Sequence, residues 1–164
     1  MMSDFIQVQA NLCIGCRTCE IACAQAHDGE TRPGGPFYPR LKVVKREEVS
    51  APVMCHQCEN APCVAVCPTG ALIQGKQSVE IEGALCIGCS GCVVACPFGV
   101  IEIVGHPGPG GIQPVKCDLC CASESGPACV AVCPTAALEK VTAGEVAQKA
   151  TARRRTTAFP KRGG

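Results

Sequence analysis

Strict alternation of apolar and polar residues runs for only a few positions at a time in this chain. One such run is Ser78-Val-Glu-Ile-Glu82, preceded by Ala71-Leu-Ile-Gln74 and a turn at Gly75-Lys-Gln77. β-Branched residues at alternate positions beside a glycine turn predict a short β-hairpin here. The same signature recurs in two pieces that lie far apart: Ile6-Gln-Val-Gln-Ala-Asn-Leu-Cys13 mirrors Val79-Glu-Ile-Glu-Gly-Ala-Leu-Cys86, and Ala136-Ala-Leu-Glu-Lys140 mirrors Gly70-Ala-Leu-Ile-Gln74. The N-terminal strand and the strand after Cys133 are therefore expected to be two halves of one hairpin. Two stretches break helix and strand periodicity, Thr31 to Pro39 and Gly105 to Pro114, each with three prolines and several glycines, and both are expected as surface connectors. From Glu139 onward the chain gains Ala, Lys and Arg, and residues Ala143 to Arg155 suit a helix. Its Arg153-Arg154-Arg155 run, followed by Lys161 and Arg162, reads either as a solvated end or as a docking element for an acidic partner surface.

Composition changes the picture of what holds these elements together. Seventeen of the 164 residues are cysteine, tryptophan is absent, and aromatics make up only 3%. Aromatic side chains supply the largest single buried areas, so a conventional core would be thin. Disulfides or metal sites are the two uses for so many cysteines. Residues Met1 to Ala10 lack the basic and apolar regions of a signal peptide, which favours reduced thiols, metal and a cytoplasmic setting. No run approaches the length needed to span a bilayer.

Sixteen of the cysteines fall into four groups of four: Cys13, Cys16, Cys19, Cys23; Cys55, Cys58, Cys63, Cys67; Cys86, Cys89, Cys92, Cys96; and Cys117, Cys120, Cys129, Cys133. Leu12-Cys-Ile-Gly-Cys-Arg-Thr-Cys19 matches Leu85-Cys-Ile-Gly-Cys-Ser-Gly-Cys92, and Cys63-Val-Ala-Val-Cys-Pro-Thr-Gly-Ala-Leu72 matches Cys129-Val-Ala-Val-Cys-Pro-Thr-Ala-Ala-Leu138. The order is that of a duplicated two-motif unit.

In Cys-x-x-Cys-x-x-Cys the chain wraps one corner of a cubane and presents three thiolates, leaving the fourth iron to a distant cysteine. In two-cluster ferredoxins that ligand is the cysteine before proline in the other motif. Pro68, Pro97 and Pro134 follow Cys67, Cys96 and Cys133, and end the short helices that carry them. Cys23 is followed by Ala24, so helix is expected to continue there. Crossing the ligands gives four expected [4Fe–4S] sets: Cys55, Cys58, Cys63 with Cys96; Cys86, Cys89, Cys92 with Cys67; Cys13, Cys16, Cys19 with Cys133; and Cys117, Cys120, Cys129 with Cys23. The gaps widen to four residues between Cys58 and Cys63 and eight between Cys120 and Cys129, as a loop swelling near a cluster would do.

Zinc also uses paired Cys-x-x-Cys units, but recurring third and fourth cysteines before proline speak for clusters. Disulfides would need many strained short loops. His56 lies between two ligands and is read as a neighbour that tunes potential, while Cys121 is read as a free thiol, with substitution for the adjacent ligand Cys120 as the alternative. Arg17 and Lys116 either offset cluster charge, raising a potential, or are simply solvated. The formal charge of +1 counts thiols as neutral. Four thiolate-ligated clusters would bring the total to about −7, which argues against nucleic-acid binding.

The four-motif pattern resembles the iron–sulfur electron-transfer subunits that accompany molybdopterin oxidoreductases of the dimethyl sulfoxide reductase and formate dehydrogenase type. Cys13-Ile-Gly-Cys-Arg-Thr-Cys-Glu-Ile-Ala-Cys23, Lys116-Cys-Asp-Leu-Cys120 and Arg153-Arg-Arg-Thr-Thr-Ala158 look most like the small subunits of formate hydrogenlyase and hydrogen-dependent carbon dioxide reductase. Larger members often carry tryptophan in the fourth group or a membrane helix, and this chain has neither. The resemblance implies an α+β fold of two ferredoxin-like modules. An outer module spans 1–30 plus 112–142 and an inserted one 50–104, with connectors at 31–49 and 105–111 and a basic tail at 143–164. It further implies a non-catalytic relay of single electrons through four [4Fe–4S] clusters. The expected partners are a molybdenum- or tungsten-dependent formate dehydrogenase-type subunit and a hydrogenase or other iron–sulfur protein. A freely diffusing polyferredoxin and a filament-forming or assembly subunit acting through the tail are the alternatives.

Overall fold

The computed structural model describes residues 4–28, 37–105 and 111–159. Strand β1 (Phe5–Val8) leads through a 3-10 turn into helix α1 (Thr18–Asp28), followed by β2 (Leu41–Arg46), β3 (Val49–Met54) and α2 (Pro62–Ala65). Then come β4 (Leu72–Gln74), β5 (Val79–Ile81), α3 (Gly91–Ala95), β6 (Glu102–Gly105) and β7 (Ile112–Val115). Helix α4 (Ala128–Ala131), β8 (Leu138–Val141) and α5 (Ala143–Ala158) complete an α+β, ferredoxin-like fold. Among the described residues no helix is long and apolar enough to cross a membrane.

Among the described residues the strands pair only in twos, β1 with β8, β2 with β3, β4 with β5 and β6 with β7, all antiparallel. The mirrored sequences give matching registers. Val8 faces Leu138 as Ile81 faces Leu72, and Gln7 faces Glu139 as Glu80 faces Ile73. Even the bond that closes each ribbon repeats: Gln9 N donates to Ala137 O at 2.8 Å, and Glu82 N to Ala71 O at 2.8 Å. One ribbon is a local hairpin; the other joins the two ends of the described chain.

Two expected connectors contain strands. β2 lies within the 31–49 stretch, and its ribbon with β3 straddles the expected boundary at residue 50. β7 begins within the Gly105–Pro114 stretch. Proline misdirects the reading of the second stretch, where Pro114 sits in β7 opposite Ile103; in the other ribbon Pro52 likewise sits within a strand, β3, opposite Val43. A two-stranded ribbon has two free edges, so a proline's missing N–H costs no ladder bond when it faces outward. Residues Thr31 to Pro36, the middle of the second stretch, and Lys161 and Arg162 lie outside the described residues.

Helix lengths follow the residues after the cysteines. α2 and α4 are single turns, each followed by a Cys-Pro pair, whereas α1 runs on through Ala24 for eleven residues. α5 starts on a capping box in which Thr142 and Glu145 satisfy each other's backbone N–H groups. Lys149 ties it down, donating to Glu139 Oε2 at 2.6 Å and Gln7 Oε1 at 3.1 Å.

Two apolar clusters form the core, and cysteines belong to both. The larger joins Ile6, Leu41, Val43, Met54 and Leu138 to Cys19, Cys23, Cys55, Cys117 and Cys129. The smaller gathers Leu72, Val79 and Ile101 around Cys63 and Cys92. Isolated two-stranded ribbons are marginal in water, so packing around the thiol sites has to hold this fold.

Candidate metal centres

Three cavities are each lined by four thiols. Cys13, Cys16, Cys19 and Cys133 surround one, with Val43, Pro52 and Leu138 in its walls. Cys67, Cys86, Cys89 and Cys92 surround a second, beside Leu72 and Ile103. Cys55, Cys58, Cys63 and Cys96 surround a third, beside Val79, Val100 and Ile101. Each draws three thiols from one motif and one from another. Four soft sulfur donors in mostly apolar walls, with Arg17 and Thr135, Thr69 and Ser90, or His56 as the polar neighbours, suit thiolate-held iron, so the residues present fit a [4Fe–4S] group.

The backbone turns that aim these thiols require left-handed conformations. Gly15 and Gly88 both have φ near +70°, and the residues two further on, Arg17 and Ser90, lie at +61° and +59°. At Gly88 a side chain would also meet Ile112 Cδ1, the movable end of a flexible side chain, so it is the left-handed conformation that calls for glycine.

The fourth set sits against the larger core. Cys23, Cys117 and Cys129 are buried together in the larger core, and the Cys129 thiol is influenced by the charges of Cys117, Cys23 and Cys120. Cys120 approaches through His27, whose Nε2 is 3.9 Å from its Sγ, while His27 Nδ1 lies 3.8 Å from Cys23 Sγ. His27 donates through Nδ1 to Cys23 O at 2.7 Å and through Nε2 to Asp118 Oδ1 at 3.0 Å. Arg40 Nη1 donates to the other Asp118 oxygen at 2.6 Å, and Arg40 N to Cys23 Sγ at 3.3 Å. Burial opposes charge on His27, but the bonds to Asp118, Cys120 and Cys23 outweigh it and push its pKa up to about 12. Burial likewise opposes the Asp118 carboxylate, yet His27 and Arg40 hold it well below the usual range. His27, Asp118 and Cys120 offer ligand atoms within 4.8 Å of one another. Both imidazole nitrogens are already committed as donors, however, which makes His27 a support for the thiols.

Thiol electrostatics divide by depth. Burial pushes Cys19 up to about 11 and Cys117 up to about 12, and raises Cys55, Cys63, Cys92 and Cys129. The hydroxyl of Thr18 lowers Cys16, and His27 lowers Cys120. Burial opposes the thiolates of Cys67 and Cys133, but backbone N–H groups and neighbouring threonines bring both down. Ala137 N, for example, donates to Cys133 Sγ at 3.2 Å.

The remaining residues singled out by sequence fall around these sites. His56 packs on Phe98 with ring centroids 4.0 Å apart, against the third cavity. Arg17 pairs with Glu20 at 3.4 Å, and Glu20 in turn accepts from Val43 N at 2.6 Å. Cys121 is exposed and stands outside the four sets, 3.8 Å from Ser78 Oγ. Lys116 is fully buried. Sequence reasoning missed His27, Arg40, Asp118 and Gln57 as site residues. For His27 a signal was present: it follows Cys23 by four positions, which places both on one face of a helix.

Residues 47–143 match the 4Fe-4S dicluster domain. The chain is 43% identical to the electron transport protein HydN of Escherichia coli K12, covering 96% of this chain and 99% of HydN. It is 37% identical to formate hydrogenlyase subunit 2 of the same organism, covering 95% and 90%. It is also 43% identical to the oxidoreductase AegA, again from Escherichia coli K12, where it covers 96% of this chain but spans only 25% of that protein's length. With more than half its residues inside the domain and near full-length relatives at this identity, the chain belongs to the 4Fe-4S dicluster domain family.

Proposed function

We propose that this protein is a non-catalytic, cytoplasmic electron-transfer subunit that relays single electrons through four [4Fe–4S] clusters. The observation that carries this reading is the recurrence of one arrangement: four thiols around an apolar cavity, three from one motif and the last from a different motif. Each cluster would supply a one-electron acceptor and donor. The chain's own contribution is to fix separations, exclude water and aim N–H groups at sulfur, as Ala137 N and Arg40 N do.

The sixteen ligands in this reading are Cys13, Cys16, Cys19 and Cys133; Cys117, Cys120, Cys129 and Cys23; Cys55, Cys58, Cys63 and Cys96; and Cys86, Cys89, Cys92 and Cys67. They form two nested modules, with motifs one and four outside and two and three within. Cys55 and Cys117 share one core cluster, which supports a junction where the modules meet. Likeness to formate hydrogenlyase subunit 2 and HydN supports a formate dehydrogenase-type subunit and a hydrogenase as donor and acceptor.

Iron and sulfide analysis of anaerobically purified protein tests the cofactor content, with about sixteen irons per chain expected. Protein that carries only zinc defeats the reading. Co-purification with a molybdenum or tungsten enzyme tests the partner, and elution of the cluster-loaded chain alone favours a diffusing carrier.

A further inference from the structure

The bulkiest fully buried side chain among the described residues belongs to a lysine, Lys116. Its Nζ donates to the carbonyl of the next residue, Cys117, at 2.9 Å. That carbonyl also accepts from Gln57 Nε2 at 2.7 Å, and Gln57 Oε1 accepts from Val79 N at 3.0 Å. Gln57 is itself buried, in a left-handed conformation between Cys55 and Cys58. One carbonyl oxygen therefore joins the second motif to the fourth, with an ammonium held at the joint.

No carboxylate lies within ion-pair distance of Lys116 among the described residues. A buried cation without an anion is strongly disfavoured, so an ionised Lys116 calls for a counter-charge from another source. Two thiol motifs meet at this joint: Cys117 carries the shared carbonyl, and Gln57, bonded to it, lies between Cys55 and Cys58. Loading thiolate-ligated clusters on either side would supply the missing negative charge.

We propose that Lys116 is the shared counter-charge of two inner sites, the Cys55, Cys58, Cys63, Cys96 set and the Cys23, Cys117, Cys120, Cys129 set, and raises the reduction potential of both. This rests on the four-cluster reading. A cation fixed between two sites favours an added electron at each of them, while the two outer sites lie beyond its direct contacts. The inner pair then forms the low-energy middle of the relay, and Lys116 is its positioning charge.

Anaerobic redox titration of the intact cluster-loaded protein, followed by electron paramagnetic resonance, tests this in wild type, Lys116→Met and Lys116→Arg. Lys116→Met should lower two of the four reduction steps by about tenfold or more in equilibrium constant, about 59 mV for a one-electron couple, and leave the other two in place. Lys116→Arg should keep the wild-type steps. Unchanged steps in fully loaded Lys116→Met, or an equal shift of all four, would overturn the proposal. If Lys116→Met loses iron, the iron count decides. Retention in Lys116→Arg supports a charge requirement, whereas equal loss in both variants overturns it in favour of packing. A wild type with far fewer than about sixteen irons would instead sink the four-cluster reading itself.

Discussion

His27 and Asp118 meet at 3.0 Å although 91 positions separate them in the chain. The first comes from the end of helix α1, the second from the turn between Cys117 and Cys120, and Arg40 grips the same carboxylate from the far side at 2.6 Å. Asp118→Asn removes the anion from between two cations. It should lower stability by about 1.5–3 kcal/mol and speed chelator-driven release of iron. Thermal melts and release kinetics check both effects, and wild-type values would refute the tie.

The pH range of this contact follows from the directions of its shifts. The Asp118 carboxyl is depressed, so its contribution is present above the ordinary carboxylate range, near pH 4, and is lost only as acid titrates the folded group. His27 is raised to about 12, so its contribution is complete below about pH 6.5 and is lost as the pH climbs through 12. Nitrogen chemical shifts of His27 should stay at imidazolium values from about pH 5 to pH 9. A midpoint near neutrality would contradict the geometry.

Crossed ligation predicts which variants share a phenotype. Cys133→Ala should reduce iron to about twelve per chain and perturb the same paramagnetic signal as Cys16→Ala, although 133 and 16 belong to different motifs. Should Cys133→Ala instead perturb the signal altered by Cys117→Ala, each motif would be holding its own cluster.

Cys121 stands outside the four thiol sets and is exposed. Cys121→Ser should leave the iron content unchanged and shift stability by no more than about 0.5 kcal/mol. Loss of iron in this variant would make Cys121 a ligand.

Metal removal should unfold the chain. The strands pair only in twos and both core clusters incorporate the thiols, so the apo protein lacks the crosslinks that the ribbons need. Calorimetry of iron-free protein should show no cooperative transition, and a sharp melt there would point to a self-sufficient core.

The β1–β8 pairing was legible in sequence because two mirrored segments repeat the pattern of a local hairpin. β2 and β7 were not, because residues 31–49 and the Gly105–Pro114 stretch read as connectors, and the prolines there masked the short strands that the ribbons reveal. Cysteine spacing pointed to the thiol groups. The shell around them was less visible, since His27, Arg40 and Asp118 converge only after the chain folds back. Gln57 was hidden for a further reason: a polar residue flanked by ligands resembles any loop residue until its two bonds to Cys117 O and Val79 N appear.

The β1–β8 ribbon also sets a timetable. During synthesis β1 cannot pair until a strand some 130 positions later has emerged, and Cys133 follows Cys19 by 114 residues. At roughly 5–20 residues per second, this leaves the first thiols without their partner strand for on the order of ten seconds. The local β4–β5 ribbon closes at once, so the middle of the chain can mature while its beginning still waits.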